Sequence, residues 1–359
     1  MGLSQRYVVT GGAGFIGSAL VRHLIGGGHD VLNIDCLTYA GDPRSVEPVA
    51  TAAGYHFLKA SICDYPQIES ALFDFRPTAV IHCAAETHVD RSIDGPAAFI
   101  DTNIVGTFNL LSASLKYWEA ELDRSSEGFR FLHVSTDEVF GELSDEGEFT
   151  SDSPYHPRSP YSASKAAADH LVTAWHTTYG LSCLIANCSN NFGPYQHPEK
   201  LIPTVIYFAA REAQIPVYGK GLQMRDWLYV TDHAEALELI AAKGRLGEQY
   251  LVGARNCVRN IDLVQEICAI LDELRPRPGG SRYCDLLEFV DDRPGHDYRY
   301  AIDPTKLEQE LDWRPRRPFR DTLTETVQWF LDNPQWLEKR KAGPERRGLR
   351  HAQPAEQTV

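Results

Sequence analysis

The sequence predicts an α/β fold, a doubly wound parallel sheet with a smaller, interleaved C-terminal lobe that threads back to it. Three observations lead there. Short apolar runs alternate with helical stretches through the first half of the chain. A glycine triplet sits where the first strand turns into the first helix. From about Leu201 the rhythm breaks into shorter elements punctuated by Pro203, Pro216, Pro294 and Pro304. The expected division is a first domain at 1–200, a lobe at 201–336, and a charged, turn-rich and largely disordered tail at 337–359.

Residues 7–9 read as a short buried strand. Gly11, Gly14 and Gly17 follow at a spacing of three, and from Phe15 a helix begins with Ile16, Leu20, Leu24 and Ile25 on its apolar side. One glycine permits the tight turn, one admits a pyrophosphate close to the backbone, and one lets the helix pack on the strand. The free N–H groups of the helix start then face the phosphates. A second strand, 30–34, ends in Asp35, which lies 18 residues past Gly17, close to the spacing of about 20 for a ribose-binding acid. A carboxylate there accepts bonds from a ribose 2′-OH and repels a 2′-phosphate, so NAD is expected over NADP. The alternative for Asp35 is a solvated turn acid.

Further strands are expected at 56–62, 78–85 and 129–136, with a helix at 65–75 between the first two. This alternation implies helices on both faces of a parallel sheet. Residues 99–121 read as one strong helix. Its stripe of Ile104, Phe108, Leu111, Leu115 and Trp118 is either a core face or a subunit interface. A loop rich in acids, Ser, Pro and Gly spans 141–160, a helix runs from Tyr161 to about Tyr179, and a strand at 181–187 precedes a polar loop to Lys200.

Hydrophobic residues make up 43% of the chain and charged residues 23%, as in an ordinary globule. The net charge of −14 argues against non-specific nucleic-acid binding, so cations for an anionic substrate must be concentrated locally. The eight cysteines form no C-x-x-C pair and no zinc-type spacing; buried free thiols in a reducing cytoplasm are expected, and no metal. With no run of 18 apolar residues and no apolar leader, neither a membrane span nor export is expected.

Tyr161 and Lys165 share a helix face at i and i+4. An ammonium beside a phenol favours phenolate and is expected to draw the tyrosine down from its ordinary ~10. Such a base takes a hydroxyl proton while hydride leaves the same carbon. Ser135, Thr136, Asp137 and Glu138 end a strand, where a parallel sheet presents residues to its ligand crevice. They read either as a divided acid/base pair or as a cap. Lys200, Arg225 and Arg293 read either as a diphosphate clamp or as surface charge.

At these residues the chain resembles the extended short-chain dehydrogenase/reductase superfamily, and within it the dTDP-glucose 4,6-dehydratase family. The likeness spans residues 7–336. It rests on TGGAGFIG and the Tyr161/Lys165 pair, and more specifically on AAETHVDRSIDGPAAFIDTNIVGT, STDEVFGEL, SPYSASKAAADHLV, NCSNNFGPYQHPEKLIP, YGKGLQMRDWLYVTDH and DDRPGHDYRYAID. The resemblance implies a Rossmann-type first domain carrying NAD and the catalytic residues, and a lobe that mainly binds a nucleotide-diphosphate sugar. Phe15 and Ile16 would lie under the pyrophosphate. Asp35 would hold the adenosine ribose, with Cys36, Leu37 and Thr38 beside it. Cys83, Ala84, Ala85, Glu86, Thr87 and Thr102 would line the cofactor path, with Asn191 by the nicotinamide. Thr87 and Thr136 would contact the hexose, with Asn190 nearby. Lys200, Leu201, Pro216, Val217, Tyr218, Arg225, Asn260 and the run Asp292, Arg293, Pro294, Gly295, His296 would hold the nucleotide diphosphate.

Two departures stand out. The family carries Asp-Ile where this chain has Ser61-Ile62, so the adenine amino group meets one hydroxyl and no charge. Phe140 replaces a usual tyrosine. The implied chemistry begins with oxidation at C4 by Tyr161 and NAD. Glu138 then takes the C5 proton, Asp137 protonates the departing 6-OH, and hydride returns to C6. A UDP-sugar 4,6-dehydratase, a 4-epimerase, a UDP-glucuronate decarboxylase (with serine at the place of Asp137) and a silent NAD-binding regulator are the rivals. A cytoplasmic homodimer pairing two long helices per subunit is also implied.

Overall fold

A computed structural model describes residues 4–124, 128–292 and 296–338. Arg293, Pro294 and Gly295 lie outside them, as does the expected tail from residue 339. Strands β1 (Arg6–Thr10), β2 (Asp30–Ile34), β3 (Tyr55–Leu58), β4 (Ala79–His82), β5 (Arg130–Thr136) and β6 (Cys183–Cys188) come first. They are followed by β7 (Asn190–Phe192), β8 (Ile215–Tyr218), β9 (Met224–Tyr229), β10 (Gln249–Val252), β11 (Cys257–Arg259) and β12 (Leu287–Val290). The main sheet has seven parallel strands in the order β10-β6-β5-β4-β1-β2-β3. The order reverses beside β1, where doubly wound sheets open a ligand crevice at their carboxyl ends.

Alternation along the strands builds two cores. Val9, Val31, Ile81 and Leu132 point to one face, under α1 (Phe15–Gly26) and, from the second half of the chain, α8 (Val230–Lys243). Their neighbours Val8, Leu32, Val80 and Phe131 point to the other face, under α2 (Tyr65–Phe75), α5 (Thr107–Leu122) and α6 (Pro160–Tyr179). β10 and α8 thus return from beyond residue 201 to complete the sheet and its first helical layer.

The lobe gathers α7 (Leu201–Ala209), α9 (Asn260–Leu274), α11 (Phe319–Asp332) and α12 (Pro334–Leu337) around Ile206, Ile267, Val327 and Phe330. Two small sheets, β11-β9-β7 and β12-β8, rest on that core, while α10 (Thr305–Leu311) packs back against β10 and α8. The polar loop expected at 188–200 therefore contains β7. Among the described residues no helix is long and apolar enough to cross a membrane. All eight cysteines are free. Cys183, Cys188 and Cys268 are buried as expected, whereas Cys36 and Cys63 are exposed.

The helix expected at 99–121 is not continuous. After α3 (Val89–Asp94) and the short turn α4 (Ala97–Phe99), the wide turn Ile100–Gly106 interrupts the α-helical ladder before α5. Asn103 is buried in that turn. Its amide bonds both polar backbone atoms of Glu86 (2.8 and 3.0 Å) and Ser164 Oγ (2.9 Å). A side chain with three partners outside the helix holds the bulge open. The apolar stripe divides accordingly: Leu111 and Trp118 join the core, while Phe108 is 46% exposed.

Candidate active site

A cavity of about 520 Å³ opens between the carboxyl ends of the main strands and the lobe. Steric necessity sets its floor. Gly11 has φ +71°, and a Cβ there would stand 2.7 Å from the Ala84 backbone; a Cβ on Gly17 would stand 2.1 Å from Gly11 O. The turn is therefore closed to side chains, and Gly14, Phe15 and Ile16 reach the cavity with it. At the end of β2, Asp35 is buried. Ala13 N donates to its Oδ2 (2.9 Å) and Leu37 N to its Oδ1 (2.7 Å). Burial pushes this carboxyl up, and the two N–H groups oppose the rise. Each oxygen keeps a lone pair for a ribose hydroxyl. This glycine cradle and fixed acid fit a dinucleotide with an unphosphorylated ribose.

Cys36, Thr38, Ser61, Ile62, Cys83, Ala84, Ala85, Glu86, Thr87 and Thr102 all line the cavity. Leu37 does not. Its backbone is left-handed (φ 57°), and it contributes its N–H to Asp35 instead.

Thr136 ends β5 and caps the next turn, its Oγ1 accepting from Glu138 N (3.3 Å). Asp137 and Glu138 are thereby set side by side at the cavity wall. Asp137 is 2% exposed, and its Oδ2 has no hydrogen-bond partner among the described residues. Burial first, then the Glu138 charge, pushes its carboxyl up to about 8, with Arg225 opposing. At neutral pH Asp137 is an acid holding its proton, as one half of a divided pair should be.

Ser159 and Ser162 form a reciprocal capping box with Pro160 at the first position, which fixes where α6 begins. Tyr161 and Lys165 consequently face the cavity one turn apart. The expected fall in the tyrosine's pKa is not found. Burial pushes the phenol well above its ordinary value, Glu138 adds to that, and a bond from Thr136 works against it. The Lys165 ammonium is bonded elsewhere, to Val134 O (2.9 Å) and His133 Nε2 (3.1 Å). Helical spacing puts two residues on one face, but it does not dictate which neighbour the longer side chain chooses.

On the lobe side, Asn190, Asn191, Lys200, Leu201, Pro216, Tyr218, Arg225, Asn260 and His296 reach the cavity. Val217 does not. β8 alternates, so Ile215 and Val217 enter the lobe core while Pro216 and Tyr218 face the cavity. Asp292 is also off the wall. It bonds His296 Nδ1 (2.7 Å) and Gln223 Nε2 (2.6 Å), and so orients a residue that is on the wall. The Arg225 guanidinium donates to the carbonyls of Met224 (2.7 Å), Tyr298 (3.2 Å) and Asp297 (2.8 Å) over the Tyr300 ring. Tyr300, Gln196 and Trp336 line the cavity too and went unread in the sequence. Tyr300 lies two residues beyond Tyr298 in an alternating run that could have flagged it; nothing in the sequence points to Trp336, which donates to Gln196 O (3.0 Å).

A family model described as GDP-mannose 4,6 dehydratase matches residues 8–326. The chain is 52% identical to the dTDP-glucose 4,6-dehydratase of Neisseria meningitidis, over 92% of this chain and 95% of that protein. Among solved structures it is similar to the dTDP-glucose 4,6-dehydratase of Streptomyces venezuelae with NAD bound (40% identity, TM-score 0.83, 93% of this chain and 99% of that one). It is more distantly similar to the UDP-glucose 4-epimerase of Thermotoga maritima with UDP-glucose (27% identity, TM-score 0.80, 92% and 99%).

Proposed function

The chain belongs to the GDP-mannose 4,6 dehydratase family, and we infer that within it the protein is an NAD-dependent dTDP-glucose 4,6-dehydratase. It is a hydro-lyase that converts dTDP-glucose to dTDP-4-keto-6-deoxyglucose and water, a step in deoxysugar biosynthesis. The observation that carries this reading is Asp137, buried beside Glu138 at the cavity wall with its carboxyl pushed up by that burial. A 4-epimerase needs Tyr161, Lys165 and NAD but no second acid; an elimination needs one group to take the C5 proton and another to give a proton to the 6-OH.

When bound, NAD supplies the acceptor for the C4 hydride and its return to C6, and its cationic ring brings the positive charge that the Tyr161 phenol lacks. Gly11, Gly14, Gly17 and Asp35 would hold it. The Tyr161 phenolate takes the 4-OH proton, and the Thr136 hydroxyl polarises the resulting ketone. Glu138 removes the C5 proton and later restores one to C5. Asp137 protonates the leaving hydroxyl, which departs as water. Each turnover therefore leaves one proton more on Tyr161 and one fewer on Asp137. The Thr136 hydroxyl is within hydrogen-bond reach of both, 3.3 Å from Asp137 Oδ1, which suits it to pass that proton back. Arg225, Asn260, Lys200 and His296 hold the diphosphate and the base, with Asp292 orienting His296.

Incubating the protein with dTDP-glucose and weighing the product tests the reading. Loss of one water supports it. An unchanged mass with an inverted C4 indicates an epimerase, and loss of carbon dioxide from UDP-glucuronate a decarboxylase. Faster dehydration of UDP-glucose would move the substrate to the uridine series.

The subunits pair as a homodimer in the cytoplasm. The supporting surface is Phe108, Val105 and Ile100 with Tyr179, all exposed, and Trp175 edge-on to Phe108 with ring centres 5.7 Å apart. Light scattering at micromolar concentration should return twice the chain mass; a monomer there would remove the pairing.

A further inference from the structure

Behind the cleft lies a buried polar cluster that this chemistry does not use. Asp169 sits on α6 one turn after Lys165. Its Oδ2 accepts from Ser135 Oγ (2.9 Å), Tyr155 OH (2.8 Å) and Asn187 Nδ2 (3.3 Å). Its Oδ1 lies 3.3 Å from His133 Nε2, the same nitrogen that Lys165 Nζ approaches at 3.1 Å. Lys165, His133 and Asp169 are 4%, 0% and 1% exposed. Asp169 Oδ1 and His133 Nδ1 have no well-aligned hydrogen-bond partner among the described residues. One carboxylate oxygen is thus anchored by three donors, and the other is aimed at an imidazole that touches the lysine.

A buried ammonium needs a carboxylate, and the groups around Lys165 narrow the choice. Burial lowers it. Asp169 is the largest influence in the other direction, followed by the thiols of Cys188 on β6 and Cys83 just past β4. Those thiols are pushed well up by burial and stay neutral. His133 on β5 and His82 on β4 are both lowered, chiefly by burial, and add no positive charge at neutral pH. Burial pushes Asp169 up, yet the His133 ring beside it, the Lys165 charge and the bond from Ser135 outweigh it, so it stays ionised. A neutral imidazole whose Nε2 accepts from the ammonium carries its proton on Nδ1, so Nε2 has no proton for Asp169, whose charge acts on the ammonium across the ring edge.

We propose that Asp169 and His133 are positioning residues that hold Lys165 at the cleft wall, Asp169 by the charge of its anchored carboxylate and His133 by the bond its Nε2 accepts. The inference rests on the dehydratase reading for its turnover assay but not for its binding assay. Asp169→Asn removes the charge in the same shape. His133→Phe removes the acceptor in a ring of similar size and leaves Asp169 its bonds to Ser135, Tyr155 and Asn187. Both should lower kcat about tenfold with KM little changed, and pull the alkaline limb of the pH–rate profile below the position that Asp137 gives it in the wild type. By calorimetry, NAD affinity should weaken with rising pH in both variants while the wild type holds steady. A limb and an NAD pH dependence that stay at wild-type positions, whatever happens to melting temperature or kcat, would overturn the proposal. If Asp169→Asn does not fold, His133→Phe alone decides by the same two readings. Wild-type protein that binds NAD but dehydrates no sugar sinks the dehydratase reading and leaves the calorimetric arm to judge Asp169.

Discussion

The two walls of the cleft are built by different means. The cofactor wall is local: a run of seven residues, Gly11 to Gly17, makes the turn, and the adjacent end of β2 supplies Asp35 with backbone N–H groups already in place. Remove a hydrogen from Gly17 in favour of a methyl group and the backbone itself is in the way. The lobe wall is assembled from distant pieces. Pro216 comes from β8, Arg225 from β9, Asn260 from the start of α9 and His296 from beyond β12. The carbonyls of Met224, Asp297 and Tyr298 join strand to loop through the one Arg225 guanidinium. A wall of the first kind is fixed by what cannot fit, and one of the second kind by side chains that could be replaced one at a time. Changes at the junction of the walls, where bonds break, should therefore have the largest effects, and changes to either wall alone should be graded.

The sharpest contrast is between Tyr161 and Asp137. Tyr161→Phe should abolish C4 oxidation, so no reduced-nicotinamide absorbance develops on adding dTDP-glucose. Asp137→Asn leaves the tyrosine untouched but cannot give the 6-OH a proton. It should still develop that absorbance while turnover falls by about 10²–10⁴. Near-normal dehydration in Asp137→Asn would return Asp137 to a capping role and make the junction no different from its walls. The pH profile adds a second reading. Asp137 acts in its protonated form, and its carboxyl is raised to about 8. Turnover should therefore hold through neutrality and fall as pH rises past about 8; a wild-type limb starting near pH 5 would remove Asp137 as the acid.

The same division explains what the sequence discloses. Six strands of the main sheet, the helices α1, α2 and α6 and the glycine turn are legible because apolar period and glycine spacing are local signals. The seventh, β10, spans only Gln249–Val252 inside the second half of the chain, and only tertiary pairing with β6 makes it part of the sheet. The bulge at Ile100–Gly106 hides because it depends on where Asn103 sends its amide. Val217 was legible after all: in Ile-Pro-Val-Tyr, alternation commits Val217 inward once Ile215 is in the core. Tyr161 and Lys165 are recognisable as a pair, but desolvation, the larger influence on both, is a property of the folded site.

A smaller effect is expected from the lobe wall alone. Arg225→Met removes the guanidinium but keeps a long side chain over Tyr300. KM for dTDP-glucose should rise roughly 10- to 100-fold, the range of about 1.5–3 kcal/mol for a hydrogen bond to a charged group. Arg225 also opposes the rise of the Asp137 carboxyl. Without it that carboxyl goes higher, and the alkaline limb should move to higher pH. A raised KM with the limb unmoved would mean the lobe wall binds substrate without tuning the acid.

The smallest effect should come from the cofactor wall, because most of that wall is backbone. Asp35→Ala leaves the glycine turn, the helix start and the ribose pocket in place. What it removes is one carboxylate that accepts from Ala13 N and Leu37 N and offers its remaining lone pairs outward. Two consequences oppose each other. NAD loses a partner for its ribose hydroxyls, and two backbone N–H groups lose their acceptor, so NAD should bind about tenfold more weakly, near 1.4 kcal/mol, the scale of one hydrogen bond. NADP loses a repulsion instead, since its 2′-phosphate no longer faces a negative charge, and the freed N–H groups suit an anion. Its affinity should rise, so the preference for NAD should narrow from both sides. Titrating wild type and variant with each cofactor reads both changes. Wild-type protein that binds NADP as tightly as NAD would mean Asp35 does not face the ribose, whereas a variant that loses both cofactors equally would make Asp35 a brace for the Ala13–Leu37 backbone and nothing more.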